Sequence, residues 1–114
     1  MLSVGKFKLE DLDERSIKMT TGFAGGVGDS RHELCGAFSA GVMVIGALYG
    51  RTEIGADDTV CFQKTMAYHE RFNEVMGSIS CLELRAENYG SDGIEPCSLL
   101  VERAARELLD LIKV

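Results

Sequence analysis

Residues 34–49 run for sixteen positions with Ser39 as the one polar side chain. That is short of the ~18–20 apolar residues a bilayer crossing needs, so the run reads as a buried central helix. Its small residues Gly36, Ala37, Ser39, Ala40, Gly41, Gly46 and Ala47 would let neighbouring helices approach backbone to backbone. Each glycine costs up to ~1 kcal/mol of helix propensity relative to alanine, which makes close packing the motive for keeping three. A chain of 114 residues buries roughly two-thirds of its unfolded surface, enough for one core without obligatory disulfides. The expectation is one domain over residues 1–114.

The flanking sequence reads as further helices. Residues 9–20 carry Leu9, Leu12, Ile17 and Met19 in loose helical spacing. Next come four glycines in seven residues (Gly22, Gly25, Gly26, Gly28), which supply the positive φ of a tight loop. Ser30 and Glu33 then fit a capping box, so the central helix is expected to start there. Asp57 and Asp58 open a helix with Cys61, Thr65, Tyr68, Phe72, Val75 and Met76 at helical spacing, and Gly77 ends it. Ser78 caps a short helix holding Ile79, Cys81, Leu82 and Leu84, followed by a polar, glycine-bearing loop at 88–93. Pro96 suits the first turn of a last helix with an apolar stripe of Cys97, Leu100, Val101, Ala104, Leu108 and Leu111. Nothing alternates like a strand. The fold class is all-α, about five helices around the glycine- and alanine-rich one.

Charge narrows the function. Eighteen acidic residues against twelve basic give a net charge of -6, and the basic ones are scattered singly. Neutralising phosphates takes clustered Lys and Arg, so no nucleic-acid partner is expected, and no membrane partner either. Residues 1–6 lack the basic start and apolar run of a signal peptide, which makes the cytoplasm the default compartment. There, cysteines are more often thiols, metal ligands or redox groups than structural disulfides. The four are Cys35, Cys61, Cys81 and Cys97, with no C-x-x-C spacing among them.

All four fall in the first or second turn of an expected helix. A helix N-terminus carries about half a positive charge and spare N–H donors, which stabilise a thiolate and can lower a thiol below its free value of ~8.5. Helix ends that converge would build a pocket of thiolates and amides. Such a pocket suits an iron–sulfur cluster, another thiophilic metal, or a dithiol–disulfide couple. Packing as small hydrophobes is the bland reading of the same residues.

The run from Gly22 to Gly28, then Cys35-Gly36-Ala37-Phe38-Ser39-Ala40-Gly41 and Gly46, resembles the small bacterial and archaeal C_GCAxxG_C_C family. Phe72, the segment 77–84 around Cys81, and Cys97 opening the final helix extend the resemblance over about residues 20–112. It implies an all-helical fold and a redox or metal-cluster role for shared cysteines; related domains occur in split-Soret-type cytochromes, with an iron–sulfur cluster. Two departures stand out. The family's first cysteine precedes the glycine loop, where this chain has none, so Cys35, Cys81 and Cys97 carry over. Cys61 is either its replacement or a core residue. Ala40 stands where the pattern has glycine, and its methyl is expected to alter helix packing slightly.

The glycines Gly25, Gly26 and Gly28 precede a helix as phosphate-cradling loops do. No Walker spacing and no strand accompany them, so the favoured reading is a turn lying close to Cys35, with Gly36 beside it. His32, three residues before Cys35, is a weak candidate ligand, and His69 is expected at the surface. No hydrolase motif appears. The leading expectation is a redox-active protein that holds a metal cluster or cycles dithiol and disulfide, with a redox partner protein and a homo-oligomer as the partners to consider. The alternative is a degenerate member serving as a non-catalytic helical interaction or assembly module.

Overall fold

A computed structural model of the protein describes residues 13–87, 89 and 97–112. Its elements are α1 (Glu14–Met19), a 3-10 turn (Thr21–Phe23), α2 (Gly36–Tyr49), α3 (Thr59–Met76), α4 (Cys81–Glu87) and α5 (Cys97–Ile112). The architecture is all-α, and no strand occurs among the described residues. None of the described helices is long and apolar enough to cross a membrane. The expected loop at 88–93, apart from Tyr89, lies outside the described residues, as do Pro96 and the first part of the expected helix 9–20.

The long helices α2, α3 and α5 pack against one another in all three pairings. Val44 and Ile45 of α2 and Tyr68 and Phe72 of α3 are fully buried, with Leu100, Ala104, Leu108 and Leu111 of α5 closing the core. Burying each large apolar side chain is worth about 1.5–3 kcal/mol. The aromatics add directed contacts. Phe38 stacks on Tyr68 with ring centres 5.5 Å apart and nearly parallel, and meets Phe72 edge-on at 5.3 Å. Val75 and Val101, expected on the apolar faces, are about half exposed.

Three local expectations are corrected. The capping box at Ser30 does not form: α2 starts at Gly36, and the Ser30 hydroxyl donates back to the Gly26 carbonyl at 2.6 Å. Likewise α4 starts at Cys81, leaving Ile79 outside it. The Ser78 hydroxyl accepts from the Ser80 amide at 3.0 Å and donates to the Glu83 carboxylate at 2.6 Å. What displaces both expected starts is a single antiparallel bridge between Leu34 and Ser80. The Cys35 amide donates to the Ile79 carbonyl (2.7 Å), and the Cys81 amide to the Glu33 carbonyl (2.9 Å).

The third correction concerns the three glycines of α2, which do not share one role. A Cβ at Gly41 would meet the Tyr68 ring at 2.5 Å, so this glycine makes room for a side chain. A Cβ at Gly36 would stand 3.1 Å from the Phe23 carbonyl oxygen of the 3-10 turn, and one at Gly46 would meet nothing within 4 Å. By contrast, α3 ends as expected, with Gly77 in the left-handed region (φ 91°) and its amide on the Asn73 carbonyl at 2.8 Å.

Candidate functional site

Three of the four cysteines line one cavity. The bridge sets Cys35 and Cys81 at the starts of α2 and α4, and Cys97 is the first residue of α5. The cavity between them measures about 600 Å³. Cys35 and Cys81 are buried and Cys97 is half-buried. All four cysteines are free thiols.

The glycine loop forms the cavity's other wall. From Gly25 to Asp29 every residue has positive φ, between 56° and 71°, and Arg31 follows at 65°. This left-handed turn is closed by the amides of Gly28 on Gly22 (2.7 Å) and Arg31 on Gly25 (2.8 Å). Gly26 fits for two reasons, its φ of 71° and its contact with the site: a Cβ there would come within 2.7 Å of the Cys81 Cβ. Gly25 and Gly36 line the cavity beside Cys35, whereas Gly28 has open space and serves the turn through its φ of 62°.

The electrostatics at Cys35 run against the helix-end expectation. As the residue preceding α2, Cys35 has the Ala37 and Phe38 amides acting to lower its thiol, yet no side-chain capping bond forms and burial pushes the thiol up from its ordinary value of 9.0. Removing a sulfur from water penalises the thiolate more than two imperfectly aimed amides favour it. The charges that Cys81 and Cys97 would carry push it further the same way.

Other candidates lie elsewhere. Cys61, in the first turn of α3, packs half-buried against the core and is not among the cavity's lining residues. His32 is exposed in the loop rather than in a helix. His69, expected at the surface, is half-buried with its ring edge-on to Phe38 at 5.7 Å. A thiolate-ligated cluster needs three or four ligands around a common centre. Among the described residues no three Cys, His, Asp or Glu side chains stand close enough to hold one ion, so these residues as placed do not fit a resident metal.

Two site features were not expected from sequence. Arg85 of α4 lines the cavity, with its Nη1 4.0 Å from the Cys97 sulfur. Its spacing of four from Cys81 on one helix face was the available signal. Ala40, where the family pattern has glycine, also lines the cavity.

A sequence profile described as "Putative redox-active protein (C_GCAxxG_C_C)" matches residues 2–111. No curated protein and no solved structure matches the chain.

Proposed function

Because the chain belongs to the C_GCAxxG_C_C family, we propose that its activity is a dithiol–disulfide cycle among Cys35, Cys81 and Cys97. The observation that carries this reading is the shared cavity: three free thiols from three helix starts, remote in sequence, face one space. Exchange needs two sulfurs at a time, where a cluster needs three or four around one centre. Two cysteine thiols close to a disulfide as the disulfide bond of an incoming partner, a small molecule or a protein, is reduced to two thiols. Cys97 is the entry sulfur, since it is the most exposed of the three, and a buried neighbour completes the bond. Cys61 takes no part.

Two of the small residues that an assembly module would offer to a partner helix are engaged internally, Gly41 by Tyr68 and Gly36 by the 3-10 turn. Exchange is therefore the reading with the stronger physical support.

Anaerobic purification followed by thiol titration tests it. The reduced protein should titrate with four thiols. After mild oxidation two should be lost, with a disulfide mapped to two cavity cysteines and reversed by reductant. Cys61→Ser should retain the cycle and Cys97→Ser should lose it. A thiol count indifferent to oxidant would overturn the proposal, and so would iron with acid-labile sulfide and visible absorption in the purified protein.

A further inference from the structure

Arg85 is the one charged side chain among the described residues that line the thiol cavity. Its Nη1 faces the Cys97 sulfur at 4.0 Å, while its Nε is buried and has no hydrogen-bond partner among the described residues. A guanidinium that lines an open cavity is suited to an anion from outside. The remaining lining is largely apolar, and a volume of about 600 Å³ accommodates a small organic molecule.

We infer that the cavity takes a small anionic disulfide, its negative group held at the Arg85 guanidinium and one of its sulfurs presented to Cys97. This rests on the dithiol reading and adds the class of substrate. In the first step the Cys97 thiolate attacks a ligand sulfur; a mixed disulfide forms, the ligand's own S–S bond breaks, and half of the ligand leaves as a thiolate. A second cavity cysteine, as thiolate, then attacks the Cys97 sulfur. The protein disulfide closes and the other half leaves as a thiolate. Two cysteines are oxidised, one ligand disulfide is reduced, and the two cysteine protons pass to water or to the departing thiolates. Arg85 offsets the repulsion between an anionic ligand and an attacking thiolate.

The whole chain's net charge of -6 favours cations at its surface, so a preference for anions has to arise locally. The test exposes reduced full-length protein to dithiodiglycolate (anionic), bis(2-hydroxyethyl) disulfide (neutral) and cystamine (cationic). Closure of the protein disulfide is followed by quenched mass spectrometry. Each rate is divided by that of the same probe with 2-mercaptoethanol, a thiol with no other charged group, which corrects for intrinsic reactivity. The expected anion-to-cation ratio is about tenfold or more at low salt, falling as salt screens the guanidinium. Arg85→Gln, with its fold checked by circular dichroism, should bring the ratio near one, and Arg85→Lys should keep part of it. A wild-type ratio near one, or an unchanged ratio in folded Arg85→Gln, overturns the anionic class while leaving the dithiol cycle standing. Failure of all three probes to close a disulfide overturns both.

Discussion

Gly41 and Gly46 occupy the same helix and invite the same substitution, with opposite results. Tyr68 leaves no room at Gly41, where an added Cβ would stand 2.5 Å from the ring, and that ring is itself pinned in its stack on Phe38. Gly41→Ala should therefore destabilise the protein by about 1–3 kcal/mol, the usual cost of overpacking a core. Gly46→Ala meets nothing within 4 Å and should stabilise by up to ~1 kcal/mol through helix propensity. Urea unfolding of the two variants decides it; equal midpoints would count against this account of α2. Reading the chain in one dimension treats these glycines alike, because only the partner across the interface tells them apart. The same limit applies to the thiols. Their positions at helix starts were legible, but whether amides or burial dominate at Cys35 depends on depth, which no spacing reports.

At the scale of elements, the turn from Gly25 to Asp29 is the strained piece. Val27 sits at φ 68° although it is β-branched and 41% exposed, so it gains little burial in return. A left-handed conformation costs an L-residue roughly 1–2 kcal/mol, against about 0.4–1 kcal/mol of extra unfolded-state entropy for glycine. Val27→Gly should raise stability by about 0.5–1 kcal/mol with an unchanged dependence on denaturant; a lower urea midpoint would refute this. The glycine cluster announced a left-handed turn, yet Val27, Asp29 and Arg31 share its φ without any signature of their own. The capping box at Ser30 misled for a related reason. Local pattern favoured a helix there, and pairing with residues near Ser80, far along the chain, overrode it.

Across the whole molecule, burial holds two weak acids neutral. Cys35 and Tyr68 both bind their protons more tightly folded than unfolded, in each case chiefly because burial penalises the charged form. Their contribution to stability is whole below the ordinary thiol value of 9.0. It is lost progressively as pH rises past that value and past the ordinary tyrosine value of 10.0 towards the folded ones, because the unfolded chain releases protons first. Tm should hold up to about pH 9 and fall above it. Tyr68→Phe should flatten the part above about pH 10; an alkaline fall of unchanged steepness in that variant would contradict the assignment. Helix periodicity and the absence of alternation made the all-α architecture readable from the chain. Arg85 was not readable as part of the site, since an arginine four residues from a cysteine acquires meaning only when a cavity lies beside both.

The Leu34–Ser80 bridge also makes a ring of the α2–α3 hairpin, with its two ends fastened by a pair of backbone hydrogen bonds. Such a ring has a clasp, and the clasp lies directly beside Cys35 and Cys81. Undoing the clasp would remove the two backbone hydrogen bonds that tie these two cysteines to each other's stretches of chain. The backbones that carry the two thiols are thus held side by side by a joint of two hydrogen bonds.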